Sequence, residues 1–262
     1  MSTRVEVAQI MGTAMSVHLI GRHPSFERAA AACFEELRRV DRVFSPYRPD
    51  SDISRIARGE LSIEDADADV AVVHAACARA EADTAGLFSA AFGGGFDPTG
   101  YVKGWSVERA ARTYLAPLLD GVDAVAIGIN AGGDMQLFTD PATDWTWNVA
   151  IVDPADRTSV VATVPVRDGG VATSGTSERG AHLIAPRTGE PARGAASATV
   201  VMRGLADADV WATAAAVAGY DDLSWIEAAG ESTGIVLDAA GRSRRWLDGV
   251  EISTRTVQPT DV

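Results

Sequence analysis

A chain of 262 residues has room for one large domain or two small ones and for a real hydrophobic core. Its hydrophobic share of 47% and charged share of 23% are those of a soluble globular protein. The formal net charge of −13, with no basic cluster, argues against nucleic acid and against an anionic membrane surface as partners. Any polyphosphate ligand therefore needs local help from a metal, a cationic side chain or backbone N–H groups.

At the N-terminus, Met1 to Glu6 holds no hydrophobic leader core, and no apolar run along the chain approaches a membrane span. The chain as it stands reads as cytoplasmic. Residues 5–10 and 15–20 read as short strands around a turn at Met11-Gly12-Thr13. Phe26, Ala30, Cys33, Leu37, Val40 and Phe44 recur at helical spacing and predict a helix over 25–44, which Pro46 ends because its ring and missing N–H cannot continue it. A second helix is predicted over 67–83, stopping at Gly86, with Val70, Val73, Cys77 and Ala80 on one stripe. Both cysteines fall on apolar stripes and read as buried thiols of a reducing compartment rather than a disulfide framework. After the flexible run Gly93-Gly94-Gly95, a third helix is predicted over 102–118. A buried strand over 122–129 ends at Asn130-Ala131-Gly132-Gly133-Asp134, and strand-like runs recur at 147–152, 160–166, 171–173, 182–184 and 198–202. A helix over 208–218 and a strand over 234–237 complete the core, and a polar tail follows from about 247. Helices early and strands late predict an α+β protein of mixed, largely antiparallel sheets packed with helices. Without repeats or a composition-biased linker, residues 1–262 read as a single compact unit.

Asp209 and Thr213 stand four residues apart in an Ala-rich segment, which puts a carboxylate and a hydroxyl on one helix face. Two hard oxygens so placed suit Mg²⁺, and Mg²⁺ suits a phosphate substrate. A helix cap and a packing Thr are the plainer account. The Gly-rich turns Asn130–Asp134 and Thr173-Ser174-Gly175-Thr176 let backbone approach a ligand and turn N–H groups toward an anion, or are simply turns. Neither has P-loop or dinucleotide spacing. Lys103, at a predicted helix start, opposes the helix dipole, so it either faces a bound anion or is a solvated surface side chain. His182 is a general base or ligand, or a hydrogen-bonded structural histidine.

In order along the chain, these stretches resemble the FAD:protein FMN transferase family, also called ApbE-like. Met11-Gly12-Thr13 is similar to its opening Met-Gly-Thr. Phe44-Ser45-Pro46-Tyr47 with Ser51-Asp52-Ile53-Ser54 resembles its Ser-x-Tyr segment and downstream Ser-x-Ile-Ser. Asp97 to Trp105 resembles Asp-x-x-Gly-x-x-Lys-Gly-Tyr, and Asn130 to Asp134 matches Asn-Ala-Gly-Gly-Asp. Ala172-Thr173-Ser174-Gly175, His182 to Gly189, and Ala208 to Thr213 resemble Ala-Thr-Ser-Gly, His-x-x-Asp-Pro-Arg-Thr-Gly and Ala-Asp-Ala-x-x-Thr. Two departures stand out. Ala185 occupies the position of the family's Asp after His-x-x, and the stretch around Gly86-Leu87-Phe88-Ser89 is shortened.

The resemblance implies transfer of FMN from FAD, the substrate, to a Thr or Ser hydroxyl of an acceptor protein, with release of AMP and Mg²⁺ as cofactor. It implies that Asp209, Thr213 and the carbonyl of Val102 hold the metal and that Lys103 neutralises phosphate charge. Gly132, Gly133, Asp134, Thr173, Ser174 and Gly175 would line the FAD cleft. Met11, Ser45, Tyr47 and Asp97 join the cofactor-binding set, His182 handles a proton, and Asp134 is the next candidate base. Hydrolysis of FAD to FMN and AMP is the nearest alternative. A flavin-binding protein with impaired catalysis is another, motivated by Ala185. Members of the family are often exported.

Overall fold

The computed structural model describes residues 2–91, 94–121, 123–175, 184–192 and 194–252. Strands β1 (Thr3–Ile10) and β2 (Thr13–Gly21) form a hairpin in register from Thr3↔Ile20 to Ile10↔Thr13. Both turn residues lie in the left-handed region, Met11 at φ 52 and Gly12 at φ 71. Two such residues give the turn a twist that matches the strands. Met11 takes this conformation without being glycine, and its side chain packs against two apolar clusters at once.

Helix α1 (Phe26–Phe44) buries the stripe the spacing predicts, and it ends at Ser45 in extended conformation just before Pro46. A short helix α2 (Asp52–Ala57) follows; the sequence reading missed it. Ser51 caps it by accepting the Ser54 N–H at 3.1 Å, and its hydroxyl donates back to the Ser45 carbonyl at 2.7 Å. Helix α3 (Ala68–Asp83) is capped by Asp67, and α4 spans Thr99–Ala110. The single helix expected over 102–118 is therefore corrected. It starts earlier and passes at Ala111 into a π turn and then a 3₁₀ turn, Ala116–Asp120. Pro117 cannot donate the backbone bond that α geometry requires there.

The remaining elements are β3 (Ala124–Ala131), β4 (Asp134–Thr139), β5 (Trp147–Val152), β6 (Val160–Val166), β7 (Gly169–Ser174), β8 (Ser197–Met202), α5 (Leu205–Ala218), β9 (Thr233–Leu237), β10 (Ser243–Leu247) and β11 (Val250–Ile252). Strand β4 is an addition to the sequence reading, and α5 begins at Leu205 rather than 208. The start of the tail is structured: β10 and β11 are paired, and Trp246 is buried. Of the strand expected over 182–184, only Ile184 lies among the described residues; it forms an isolated bridge with Pro191.

Among the described residues, nine strands form one sheet in the order β1-β2-β3-β4-β7-β8-β9-β10-β11, with every pairing antiparallel. The mixed α+β architecture is thus the expected one. One face buries Val17, Ile129, Ala172 and Val200 against α1 and α5. The hairpin β5–β6 covers part of the other face through Val149 and Val166, packed on Leu137 and Val171. Helices α1, α3, α4 and α5 share a second core around Val40, Val73, Val102 and Val210. An ion-pair network edges this second core. Arg39 pairs with Glu36, Asp67 and Asp69, and Arg109 bridges Glu36 at 2.6 Å and Asp69 at 2.7 Å while lying over the Trp105 ring. Cys33 and Cys77 are free and buried, and burial, aided by Glu36 and Asp97 respectively, pushes each thiol up to about 12. Among the described residues no helix is long and apolar enough to cross a membrane.

Candidate active site

Helix α5 is buried nearly all round, between the sheet and α4, as its run of alanines requires. Asp209 is the one carboxylate it buries, and it sits one turn inside the helix rather than at its start. The spacing puts Thr213 on the same face, where its hydroxyl meets the Ser174 hydroxyl at the end of β7 at 3.3 Å. Helix α4 brings in Lys103, whose Nζ lies 3.2 Å from Asp209 Oδ2. The same ammonium group pairs with Asp134 at the start of β4. Asp134 is fixed in turn by the Thr173 N–H, which donates to its Oδ1 at 3.0 Å. The Thr173 and Thr199 hydroxyls share a hydrogen bond of 2.9 Å across β7 and β8. Three segments far apart in sequence thus meet at one ammonium group.

Close backbone approach makes this possible. A Cβ at Gly104 would lie 2.9 Å from Asp209 Cβ and 3.0 Å from both Asp209 Oδ2 and the Leu205 carbonyl, so only glycine lets α4 and α5 come this near. The N-terminus of α5 has no capping side chain of its own. Instead Gln136 of β4 accepts the Leu205 N–H at 3.0 Å, and Glu108 of α4 accepts the Ala206 N–H at 2.9 Å.

Beside this junction lies a cleft of about 300 Å³ between the β3–β4 turn, β7, β8 and the β5–β6 hairpin. Asn130, Gly133, Asp134, Thr173, Ser197 and Thr199 line one side of it. A shallower depression of about 370 Å³ at Arg4, Arg22 and His23 holds none of these residues.

The sequence matches the model of the ApbE family over residues 11–96 and 93–236. The chain belongs to the ApbE family. It is 37% identical over 137 residues to a FAD:protein FMN transferase of Rhodobacter capsulatus, a stretch that is 49% of this chain and 25% of that protein. Its fold is similar to that of the ApbE protein of Thermotoga maritima, with a TM-score of 0.77 and 20% identity over 93% of this chain and 97% of that one. It is also similar to the flavin transferase ApbE of Vibrio cholerae, with a TM-score of 0.71 and 19% identity over 94% of this chain and 97% of that one.

The ApbE-like motifs fare unequally in three dimensions. Lys103, Asp134, Thr173, Ser174, Asp209 and Thr213 converge. Lys103 is neither a surface side chain nor at the helix start; it sits one turn into α4 and is paired with two carboxylates. The N–H groups of the Gly-rich turn are already committed. Gly132 donates to the Ala14 carbonyl at 3.2 Å and Gly133 to Asn130 Oδ1 at 2.8 Å. The pair serves by lacking side chains: Gly132, at φ +67, lies against Thr13, and Gly133, at φ +107, has open space where a Cβ would stand. Gly175 is required by β8, since its Cβ would strike the Ala196 carbonyl. Val102 is buried in the same apolar cluster as Val210. Met11 sits in the turn beside that of Gly132. Ser45 ends α1, Tyr47 is 94% exposed, and exposed Asp97 accepts the Thr99 N–H and hydroxyl. None of these last three contacts the Lys103 group by hydrogen bond or ion pair. His182 lies outside the described residues. Ala185 belongs to a turn in which its carbonyl accepts the Thr188 and Gly189 N–H groups. Gly104, Gln136, Glu108 and the β5–β6 wall were missed. The Gly following Lys103 was the available signal for the first of these.

The donor set also bears on a metal. Asp209, the Thr213–Ser174 hydroxyl pair and backbone carbonyls are hard oxygens, which fit a hard divalent cation. Among the described residues no group of three or more His, Cys, Asp or Glu could hold a metal, so any cation site here depends on hydroxyl, carbonyl and ligand oxygens.

Proposed function

We propose that this chain transfers FMN from FAD to a Thr or Ser hydroxyl of an acceptor protein, releasing AMP, with Mg²⁺ as cofactor. The observation that carries the reading is the meeting of Lys103, Asp209 and the Thr213–Ser174 pair beside a cleft, in residues matched to the ApbE family. A nine-stranded sheet that draws strands from both ends of the described chain supports treating it as one unit with one site.

In this reaction the acceptor oxygen attacks the flavin-side phosphorus, the bond to the bridging oxygen breaks, AMP leaves with the electron pair, and the hydroxyl proton passes to a base. Asp209, Thr213 and the Val102 carbonyl would hold Mg²⁺, which when bound supplies positive charge to the pyrophosphate oxygens. Lys103 adds a second positive charge at the phosphates. Gly132, Gly133 and Thr173 shape the cleft wall on which FAD would be positioned, and Ser174 holds Thr213 beside it. His182 takes the proton.

Incubation with FAD and Mg²⁺, with and without an acceptor, tests the reading. AMP formed only with acceptor is expected. AMP formed without it means hydrolysis, and retained FAD without AMP means binding alone, the outcome that Ala185 motivates. Asp209→Ala is expected to lower Mg²⁺-dependent turnover 10²–10³-fold, or about 2.7–4 kcal/mol, while leaving the melting curve in place. Turnover within a few-fold of wild type at saturating Mg²⁺ refutes the metal assignment.

A further inference from the structure

Two carboxylates from separate elements, each with a side chain only 7% exposed, share one ammonium group. A buried carboxylate is tolerated when it is paired and hydrogen-bonded. Asp134 meets that condition fully: one oxygen accepts the Thr173 N–H and the other holds Lys103. Each oxygen of Asp134 is thus engaged by a fixed partner, as a holding role requires. Asp209 is held less completely, with Lys103 on Oδ2 at 3.2 Å.

Resting on the metal and pyrophosphate reading above, we propose that Asp134 is a positioning residue that anchors Lys103, and that Lys103 and a divalent cation compete for Asp209. A pyrophosphate ligand would relieve that competition by drawing the ammonium group to itself.

Three features support this. Lysine carries three donors on a flexible stem, so it can release Asp209 while keeping Asp134. A divalent cation on Asp209 Oδ2 would repel an ammonium group at the same oxygen. A polyanion lying between the two cations turns that repulsion into two attractions. Metal and pyrophosphate then tighten each other's binding by the same factor, as linkage requires. Asp134→Asn should loosen the anchor and leave Lys103 more firmly on Asp209.

The test is calorimetric titration of Mn²⁺ into the full chain, alone and with saturating ADP as the pyrophosphate probe. The proteins are wild type, Asp209→Ala, Asp134→Asn and the double variant Lys103→Met/Asp134→Asn. The double variant removes one positive and one negative charge together, so the net charge of the group is unchanged; its melting curve confirms folding. It is expected to bind Mn²⁺ alone at least tenfold more tightly than wild type. The tightening by ADP, at least tenfold in wild type, is expected to fall below threefold. Asp134→Asn alone is expected to bind Mn²⁺ several-fold more weakly. Unchanged Mn²⁺ affinity in the double variant, or undiminished coupling to ADP, overturns the competition. An unaltered Asp134→Asn overturns the anchoring role. Mn²⁺ binding that survives Asp209→Ala overturns the metal reading itself, and the competition with it.

Discussion

Replacing Gly104 by alanine probes the contact on which the site depends. The new methyl group would sit 2.9 Å from Asp209 Cβ and 3.0 Å from the Leu205 carbonyl oxygen. Neither neighbour can swing away: one is backbone of α5, and the other begins a side chain held by Lys103. Relief requires α4 and α5 to part by a few tenths of an ångström. Overpacking of this kind costs ~1–3 kcal/mol. Alanine regains ~1 kcal/mol over glycine in a helix interior, so the net loss should be up to ~2 kcal/mol. Urea denaturation should show a lower midpoint at unchanged slope. Because the shift also moves the Val102 carbonyl on α4 away from Asp209 and Thr213 on α5, Mn²⁺ affinity should fall about tenfold, or ~1.4 kcal/mol. Gly100→Ala in the same helix is the control, since its Cβ would meet only the Phe88 ring at 3.3 Å; it should be close to neutral. A Gly104→Ala protein as stable as wild type, with intact metal affinity, refutes the argument that glycine sets this approach.

Two further outcomes follow from the core. The hydrogen bond from Arg39, with help from Arg109, holds the Glu36 carboxyl below its usual 4.5. Burial pushes Asp69 up, but the same two arginines outweigh it and hold it below 3.8. Both groups titrate lower in the folded chain, so their contribution is complete above about pH 5 and is lost as acid carries the pH down through and below these values. Glu36→Gln should therefore be less stable at pH 7 but lose less stability between about pH 5 and 3; parallel stability curves would contradict the pairing. Gln136→Leu leaves the buried Leu205 N–H without its acceptor, an orphan worth about 1–3 kcal/mol. The loss is reduced because Gln136 Nε2 has no partner among the described residues. A lower melting temperature is expected, and an equal or higher one would mean that α5 is seated by packing alone.

Much of the fold could be read from periodicity where elements were long. Helix α1 showed six apolar residues on one stripe, and all six are buried. Helix α2 is too short for a period to declare itself, and only the capping serine marked it. The helical pattern ran on past Ala110 because π and 3₁₀ turns preserve much of the side-chain spacing. Strand β4 is hidden because Asp134 reads in sequence as the end of a turn, whereas it is the first residue of a strand. At the site, the Asp209–Thr213 spacing was local and therefore visible. The pairing of Lys103 with Asp209 was not: Asp209 lies 106 residues away, and only the close packing of two helices joins them. A bound anion and a solvated surface position are the two readings that sequence allows such a lysine, since sequence carries no record of which carboxylate the fold will place beside it. The same holds for Gln136 and Glu108, whose part is to receive backbone N–H groups of a distant helix.

That seating of α5 acts as a keyway. A helix turns about 100° per residue, so a slip of a single position would swing Asp209 to another side of the axis. Gln136 and Glu108 grip consecutive N–H groups of the first turn and so fix the angle at which the helix enters. One grip comes from the strand that carries Asp134 and the other from the helix that carries Lys103. The three charged groups are thereby indexed to one another through backbone, without reliance on surface loops. Insertions in the loops that rim the cleft could then alter what the cleft admits while the phase of the charged triad stays constant.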